Sequence, residues 1–378
     1  MSKFGVTIER ISSIKPADNA DSLDLAGLEG KEFQFVIRKN EYKIGDVVIY
    51  FPVDSLIPED VLEMIGLTGK LSGSGKNRVK TIRLRGNLSQ GIVTPLALFL
   101  DRFPASVSQF GDDVSTYLGV EKYEIPEVAG DLTRDGSRIH FPPLLTIYDI
   151  EGAQNFPNVV DLLMDQLVTV SEKLEGTNWW GGLWMNDDGF LDVHVGSRRF
   201  ELVVNRDEGK SEDVWNKAYT EQFAEKMSSI YEYVRSRFNN DEKPFNVVLR
   251  GELIGSGIQG NYYDFPANER KVYLFDIELN GRPLNAKQFM NVCNAFGLPM
   301  VPYIKAPTAQ NTLREYLNGR TVQEASTFNF RPFTNSTTQK EKLAEGIVIK
   351  PLIEQWHEQI GRLFIKQRSP EYLIQTGA

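Results

Sequence analysis

The chain has 378 residues, 41% of them hydrophobic and 11% aromatic, so it is longer than one ordinary domain and can bury more than one apolar core. It has no long apolar run, and charged residues from Lys3 to Lys15 interrupt its beginning, which argues against a membrane span or secretion and predicts a cytoplasmic protein, or a nuclear one in a eukaryote. The single Cys293 excludes an internal disulfide and a thiolate zinc site, and the three histidines lack ligand spacing.

Short apolar runs separated by turn residues fill roughly the first 120 positions. The predicted strands are Val6–Ile14, Phe33–Arg38, Asp46–Phe51, Val79–Leu84 and Gly91–Val93. Short strands with frequent turns are typical of a small barrel. The turn at 41–46, which opens an apolar strand, is familiar from OB-like barrels, and we therefore predict an OB-like β-barrel at the start of the chain.

A basic stretch lies within this predicted barrel. The net charge of −9 disfavours long-range attraction to nucleic acid, but contact with phosphates depends on local charge, because salt screens charges over about 8 Å. Five cations occur without an intervening acid: Lys76, Arg78, Lys80, Arg83 and Arg85. We predict nucleic-acid contacts by Lys76, Arg78 and Lys80, with a solvated hairpin edge as the alternative.

Proline and glycine are concentrated between Tyr123 and Pro143, which predicts a linker and the entry to a second domain. We therefore divide the chain into a barrel module over residues 1–122, a linker over residues 123–137 and a larger domain over residues 138–378.

Two helices are predicted in the larger domain. The first runs from about Glu212 to Phe238 with Ser211 as its N-cap, because its apolar residues fall mostly on one helical face. The second runs over Ala286–Phe296, with Asn285 as N-cap and Gly297 as the stop signal. Cys293 lies on it and is expected to be a buried packing residue.

The segment 171–178, Ser-Glu-Lys-Leu-Glu-Gly-Thr-Asn, follows the apolar run Leu167–Val170 and reads as a strand that delivers an amine. Lys173 can attack only as the neutral amine, and a lysine with a pKa of about 10.4 is almost entirely charged at pH 7. Neighbouring cations, burial or a metal ion must therefore favour the neutral form, which predicts a cationic, metal-binding cleft around Lys173.

Four charged segments downstream have strand-like patterns. In chain order they are Arg250–Gly255, Tyr273–Ile277, Glu345–Lys350 and Lys366–Arg368. In the last segment, Lys366 and Arg368 are two residues apart, so both side chains lie on one face of an extended strand. Each segment alone is a weak signal, whereas their order after Lys173 is specific.

This order resembles that of the covalent nucleotidyltransferases, and within them the ATP-dependent RNA ligases of the fifth RNA ligase family, over nearly the whole chain. The segment from Gly251 to Gln259 and the Thr177-Asn178 pair resemble RNA ligases more than DNA ligases or capping enzymes. The resemblance implies an α+β protein: an N-terminal OB-like β-barrel followed by a nucleotidyltransferase (ATP-grasp-like) ligase domain of antiparallel sheets with helices.

The resemblance also implies roles in three phosphoryl transfers. Lys173 would attack the α-phosphorus of ATP and form a lysyl-adenylate; the AMP would pass to an RNA 5′-phosphate, and a 3′-hydroxyl would then displace it. Lys366 and Arg368 would bind the α-phosphate and help to depress the pKa of Lys173, against the adjacent acids. Asn178 would orient the RNA ends, and Arg198 would contact the ribose or the acceptor phosphate.

Base and metal contacts are implied in the same way. Phe275 would stack on adenine, with its place in an apolar core as the alternative, and Glu172 would help to read the adenine amino group. Glu175 and Glu345 would hold Mg²⁺ or Mn²⁺ through the waters of the ion, and Glu252 would join them or accept the ribose hydroxyl.

Other residues of the predicted nucleotide site have less defined roles. Leu174 would line it, and Lys350 would contact phosphate or close a surface ion pair. Trp179, Trp180 and Trp184 would stack on unpaired bases or pack in a core. The chain departs from the wider pattern at Glu175, where many members have aspartate, and at Arg368, where many have lysine.

The predicted partner is RNA with 3′-hydroxyl and 5′-phosphate ends, including nicked duplexes, bound by a monomer that acts in RNA repair. Two other classes stay open: another covalent nucleotidyltransferase, either a DNA ligase or a GTP-using capping enzyme, and a non-catalytic RNA-binding protein of this fold. DNA ligases and capping enzymes usually carry the OB domain after the catalytic domain, whereas the barrel is predicted first here.

Overall fold

The computed structural model describes residues 4–104, 106–107, 109–124, 138–143, 145–203, 213–238, 246–306 and 343–376. These residues form two compact units. The first contains the described residues within Ser2–Pro126, Glu151–Asp161 and Ser369–Ala378, and the second those within Glu127–Ile150 and Leu162–Arg368. Most of the predicted linker, residues 125–137, lies outside the described ranges.

The first part of the chain is built from short strands and two short helices. They are β1 Thr7–Pro16, β2 Leu23–Leu28, β3 Gln34–Arg38, β4 Val47–Phe51, β5 Ser55–Leu56, α1 Glu59–Met64, β6 Thr81–Leu84, β7 Asn87–Gln90, β8 Ile92–Pro95, α2 Ser115–Leu118 and β9 Glu121–Lys122.

Five of these strands form an antiparallel sheet in the order β3-β2-β1-β4-β8. Both faces of β4 are buried: Ile49 and Phe51 enter one apolar core, whereas Val48 and Tyr50 enter the other. The predicted strands are confirmed to within a few residues. The prediction missed β2, whose alanine, glycine and aspartate are depleted in strands.

The basic stretch is divided between solvent and interior. Lys76 is exposed, but Arg78 is 7% exposed. Arg78 donates two hydrogen bonds to Asp54 Oδ1, at 2.6 and 3.0 Å, and its guanidinium carbon lies 3.6 Å from the ring centroid of Tyr123. The prediction of Arg78 as a nucleic-acid contact is therefore wrong, because its charge is neutralised inside the first unit. Lys80 is half-buried, and its role and that of Lys76 stay predictions.

Replacing Arg78 with methionine is expected to lower the free energy of unfolding of the first unit by about 2–3 kcal/mol, since Asp54 loses a charged hydrogen-bond partner where little water reaches it. Urea unfolding of the full chain measures the change, and a double-mutant cycle with Asp54→Ala should show that the two losses are not additive. Lys76→Gln, at an exposed position, is the matched control. An Arg78→Met chain as stable as the unchanged protein would contradict this assignment.

The remaining elements in chain order lead into the second unit and back to the first. They are β10 Arg138–His140, β11 Glu151–Gly152, α3 Pro157–Met164, β12 Val168–Lys173, β13 Thr177–Met185, β14 Leu191–Gly196, β15 Phe200–Leu202, α4 Val214–Gln222, α5 Ala224–Phe238, β16 Asn246–Gly255, β17 Arg270–Leu279, β18 Arg282–Pro283, α6 Ala286–Phe296, β19 Tyr303–Ala306, β20 Gly346–Pro351, β21 Trp356–His357, β22 Gly361–Arg362, β23 Ile365–Arg368 and α7 Pro370–Thr376.

The second unit contains two antiparallel sheets with helices. The larger sheet has the order β10-β15-β14-β13-β16-β17-β18, and in the smaller one β23, β20, β12 and β19 are neighbours. Helices α4, α5 and α6 contribute to one large apolar core with the alternate residues of β13, β16 and β17, among them Trp179, Leu249 and Leu274. The opposite face of the larger sheet carries the polar residues Asn178 and Glu252 beside two smaller apolar clusters, which include Tyr273 and Trp180.

The first predicted helix is two helices. Asp213 caps α4 by accepting hydrogen bonds from the backbone N–H groups of Trp215 and Asn216, while the predicted cap Ser211 lies outside the described residues. The helix is interrupted at Phe223, between α4 and α5. The Phe223 ring packs in the core and stacks on Trp179, with 4.8 Å between ring centroids. The second predicted helix is confirmed: α6 has an Asn285 capping box and ends at Gly297, and Cys293 is buried.

None of the helices in the described ranges has the length and apolar character needed to span a membrane.

Candidate active site

Three neighbouring strands of the smaller sheet place the predicted nucleophile beside the predicted phosphate-binding cations. Lys173 on β12 is directly opposite Gly346 on β20, and Gly346 is directly opposite Arg368 on β23. Side chains opposite each other across antiparallel strands lie on the same face of the sheet. Lys366, two residues before Arg368, shares this face. The strand register therefore brings Lys173, Lys366 and Arg368 to one face. The spacing predicted this for Lys366 and Arg368, and the resemblance to RNA ligases implied it for Lys173.

Glycine is required in the middle of this row. A Cβ atom at Gly346 would lie 2.0 Å from the carbonyl oxygen of Gln367. Gly176, in the turn after Lys173, is similarly restricted, because its Cβ atom would lie 2.7 Å from the carbonyl oxygen of Leu253. Both glycines allow the backbones around Lys173 to approach more closely than any side chain permits.

Lys173 is held by carboxylates. Its Nζ lies 2.7 Å from Oε1 of Glu345, and the Lys173 side chain is 25% exposed. Burial alone would lower the pKa of Lys173, but the charges of Glu345, Glu252 and Glu175 raise it above its ordinary value. The acids opposing deprotonation are thus mainly Glu345 and Glu252. The prediction had named the adjacent Glu172 and Glu175. Glu175 contributes, whereas strand alternation places Glu172 on the other face of β12.

The three predicted metal-binding acids surround Lys173 but do not form a set of direct ligands. Across the described part of the chain, no group of three or more His, Cys, Asp or Glu side chains is placed to hold a metal ion directly. Burial raises the pKa of Glu252 to about 8, and burial with repulsion from Glu345 raises that of Glu175. Neighbouring carboxylates that are not neutralised by cations are suited to a divalent cation bound through its waters. This is the arrangement predicted for Glu175, Glu252 and Glu345.

Cations border these acids. Burial, followed by repulsion from Arg368 and Lys173, lowers the pKa of Lys366 to about 7. Arg198 Nη2 lies 3.1 Å from Oδ1 of Asp149, and the charge of Asp149 also acts on Lys366. Asp149 therefore lies close to two of the predicted phosphate-binding residues. It was not predicted as a site residue, since the local sequence around it has no recognisable pattern.

Asn178 faces the same cleft from the larger sheet. It lies directly opposite Glu252 in the pairing of β13 with β16, which puts both side chains on the face away from the helices. The side-chain oxygen of Asn178 is buried and accepts no hydrogen bond from the described residues. The structure thus brings Asn178, Glu252 and Lys173 to one place, and their assigned roles remain predictions.

Phe275 reaches this face through a β-bulge. The register of β16 and β17 pairs Arg250 with Asp276 and then Gly251 with Leu274, so Phe275 is the extra residue. Leu274 and Ile277 both enter the helix-side core. Phe275 and Asp276 consequently both leave that core, although adjacent strand residues normally point to opposite faces.

An apolar cluster surrounds half-buried Phe275. Its members are Leu174, Ile254, Tyr263, Tyr273 and Val301, with Tyr262, Phe265 and Phe275 packed against them. The Tyr263 hydroxyl accepts a hydrogen bond from the backbone N–H of Glu175 at 2.7 Å and so links the cluster to the turn after Lys173. Leu174 belongs to this cluster, and its contact with the nucleotide stays a prediction. Tyr263 was missed, because it is distant in sequence and has no motif.

Glu172 is buried beside this cluster. Its two carboxylate oxygens have no hydrogen-bond partner among the described residues, and burial raises the pKa of Glu172 to about 8. The charge of Glu172 acts on Tyr263. A buried carboxyl group without partners is costly unless a ligand supplies donors, so this position suits a group with N–H donors.

Lys350 and the three predicted tryptophans lie outside the row of Lys173, Lys366 and Arg368. Lys350 Nζ is 2.8 Å from Asp276 Oδ1 and donates to the Phe275 carbonyl oxygen at 2.9 Å, so it forms a buried ion pair and not the surface pair considered as one alternative. It lies four residues along β20 from Gly346, about 13 Å away. Trp179 and Trp180 are fully buried in cores, and half-buried Trp184 stacks on His194, with 3.9 Å between ring centroids.

Comparison with known proteins places this site in a family. A model of an OB-fold domain matches residues 5–96, and the RNA ligase family model matches residues 166–367, more than half of the chain. The second match covers Lys173, Glu252, Glu345 and Lys366. No curated protein matches the chain.

Solved structures of Naegleria gruberi RNA ligase are similar over nearly the full length. A lysine-to-alanine variant with ATP and Mn has 26% identity, covers 98% of each chain and gives a TM-score of 0.72. A lysine-to-methionine variant with AMP and Mn has 27% identity, covers 97% of each chain and gives 0.72. The protein with pyrophosphate has 26% identity, covers 97% of each chain and gives 0.69. With an N-terminal OB-fold unit followed by an antiparallel catalytic unit built around Lys173, the chain belongs to the RNA ligase family.

Proposed function

We propose that this RNA ligase uses ATP and a divalent cation to join RNA 3′-hydroxyl and 5′-phosphate ends through a covalent lysyl-adenylate on Lys173. The observation that carries the proposal is the row across β12, β20 and β23, which sets the amine of Lys173 beside Glu345 and on the face that carries Lys366 and Arg368. ATP, AMP and Mn occur in the Naegleria gruberi structures, which supports the choice of cofactors.

In the first step, the Lys173 ammonium loses one proton to solvent and its neutral nitrogen forms a bond to the α-phosphorus of ATP. The bond from that phosphorus to the pyrophosphate oxygen breaks, pyrophosphate leaves, and the nitrogen releases a second proton to solvent as the phosphoramidate forms. Lys366 and Arg368 bind the α-phosphate and stabilise its charge as it is transferred. Glu175, Glu252 and Glu345 would hold the divalent cation. When bound, the cation supplies positive charge that offsets these acids and favours the neutral amine.

The adenine base of ATP is bound at the apolar cluster around Phe275, next to Lys173. Phe275 stacks on adenine, and Leu174 of the same apolar cluster contacts the base. The Glu172 carboxyl group, which has no hydrogen-bond partner in the part of the chain that the structure describes, accepts a hydrogen bond from the adenine amino group. A guanine carbonyl at the same place has no hydrogen to donate. The proposal therefore includes a preference for ATP over GTP.

In the second and third steps the AMP passes from Lys173 to an RNA 5′-phosphate, and an RNA 3′-hydroxyl then displaces AMP and forms the phosphodiester. Arg198, whose charge acts on Glu252, binds the acceptor phosphate, and Asn178 orients the two ends. Alignment of the 3′-hydroxyl with the activated 5′-phosphate accounts for most of the acceleration of the sealing step, because phosphoryl transfer depends mainly on positioning.

The substrate proposal is a nicked or broken RNA met during repair, bound by a monomer. Lys76 and Lys80 of the first unit are proposed to contact the RNA backbone. The cytoplasmic or nuclear location predicted from the sequence stays a prediction.

Incubation of the full chain with labelled ATP or GTP and Mg²⁺ or Mn²⁺ tests this function. ATP is expected to label the protein at Lys173, and GTP is expected to label it at least tenfold more slowly. Stronger labelling by GTP would favour a capping enzyme, and no labelling by either nucleotide would favour a non-catalytic RNA-binding protein.

The polynucleotide is tested separately with matched nicks that carry ribose or deoxyribose on either side of the junction, in all four combinations. Nicks with ribose at the junction are expected to be sealed faster than an all-DNA nick, since a 2′-hydroxyl is the group by which a protein distinguishes RNA from DNA. Equal sealing of an all-DNA nick would contradict the RNA assignment.

A further inference from the structure

A buried polar network lies next to Phe275, and none of its members has a role in the proposed function. Its centre is Asp276, which is fully buried. The carboxylate of Asp276 accepts hydrogen bonds from Lys350 Nζ at 2.8 Å and from Arg362 Nη1 and Nη2 at 2.7 and 3.1 Å. It also accepts one from the Tyr148 hydroxyl. Each carboxylate oxygen therefore has two donors.

The network is electrically balanced and so can stay buried. Arg362 also forms an ion pair with Glu354 at 2.6 Å, which gives two cations and two acids. Burial alone would raise the pKa of Asp276, but Arg362 and Lys350 hold it well below its usual range. Burial raises the pKa of Tyr148 far above its ordinary value, and its hydroxyl stays a donor. Such a fully satisfied network is rigid.

The network holds Phe275 at two points. Lys350 donates to its backbone carbonyl at 2.9 Å, which fixes the extra residue of the β-bulge. The Tyr148 ring packs against the Phe275 ring, with 4.7 Å between centroids and 41° between the ring planes. Tyr148 is itself held on a second side by Phe364, edge to face at 5.4 Å, and Arg362 lies over both rings.

We propose that Tyr148 is a positioning residue, fixed by Asp276 and Arg362, that holds the Phe275 ring in the orientation needed to stack on the nucleotide base. This inference rests on the proposed function, in which Phe275 binds adenine. Tyr148 lies 25 residues before Lys173 in the sequence, outside every segment that identified the family. Because the bulge leaves Phe275 without a paired residue on β16, its orientation depends on these contacts more than that of a regular strand residue does.

The test compares the effect of Tyr148→Ala on the binding of ATP, which has a base, with its effect on the binding of inorganic tripolyphosphate, which has none. We expect the KM for ATP in lysyl-adenylate formation to rise about fivefold to tenfold, the kcat to stay within about twofold, and the inhibition constant of inorganic tripolyphosphate to stay unchanged. Tyr148→Phe keeps the ring and should restore most of the KM. Tyr117→Ala, at an exposed tyrosine of the first unit, is the matched control and should change neither constant.

A purely structural role would not produce this split, because general loosening of the fold weakens ATP and tripolyphosphate together. Equal losses for the two ligands, or an unchanged KM for ATP, would overturn the inference. If Tyr148→Ala does not fold, Tyr148→Leu fills more of the space without a ring, and the same split is expected. Absence of ATP labelling in the unchanged chain would instead overturn the proposed function, and this inference with it.

Discussion

Lys173→Arg is expected to abolish lysyl-adenylate formation, with the rate of labelling by ATP falling by on the order of 10⁴-fold or more. Arginine keeps a positive charge beside Glu345, where the Lys173 ammonium now lies 2.7 Å from the carboxylate. Its guanidinium stays protonated in proteins and is no nucleophile. The change therefore separates the chemistry of the amine from the electrostatics of the site. Intact-protein mass spectrometry after incubation with ATP and Mn²⁺ measures the gain of one adenylyl group.

The same variant should still act on RNA that already carries an adenylylated 5′ end, because the third step needs no protein nucleophile. Its rate on this substrate is expected to stay within about tenfold of that of the unchanged chain. Lys217→Arg, at an exposed position of α4, is the control for the substitution itself and should be labelled normally. Adenylylation of Lys173→Arg at an ordinary rate would mean that another residue is the nucleophile.

Strand periodicity was sufficient to predict one face of this site. Lys366 and Arg368 are two residues apart and follow an apolar run, so their common face could be read from the sequence. Their proximity to Lys173 could not be read in the same way, since it depends on β20 lying between β12 and β23. That proximity was inferred from the resemblance to RNA ligases, and the register of the three strands agrees with it.

The failures occur where the local backbone departs from regular alternation. Lys76, Arg78 and Lys80 have the spacing of one strand face, but Lys76 has a φ of 52° and β6 begins only at Thr81. Arg78 is consequently turned inward to Asp54 while Lys76 stays exposed. Arg78 is the only arginine of the three, and arginine is better suited than lysine to buried ion pairs and to stacking on rings. Its partners Asp54 and Tyr123 are distant in sequence, so only the tertiary structure shows that it makes these contacts.

Phe275 and Asp276 show the same limit in the catalytic unit. Regular alternation would put one of them in the helix-side core, but the bulge directs both away from it. The sequence contains no glycine or other signal of a bulge at this point. Tyr148 and Arg362 were missed because their contacts with Asp276 span 128 and 86 residues of sequence.

The apolar periodicity of the first predicted helix gives no sign of its break. Trp215, Tyr219, Phe223 and Met227 follow one another at intervals of four residues across the point where α4 ends.

Glu345→Gln is expected to slow lysyl-adenylate formation by roughly 10²- to 10³-fold and to raise the concentration of Mn²⁺ needed for half-maximal labelling. Glutamine keeps the shape of the side chain and an oxygen that can accept a hydrogen bond from Lys173, but it removes the charge. The direction of the effect distinguishes two roles of Glu345. Its charge raises the pKa of Lys173, so if it acted on the amine alone, its loss would make the neutral amine more abundant and labelling faster. Slower labelling, together with a shifted metal requirement, assigns Glu345 to the divalent cation.

Glu358→Gln, at an exposed position between β21 and β22, is the control and should leave both quantities unchanged. Labelling of Glu345→Gln that is faster than normal at every Mn²⁺ concentration would remove Glu345 from the metal site and leave Glu175 and Glu252 as its candidates.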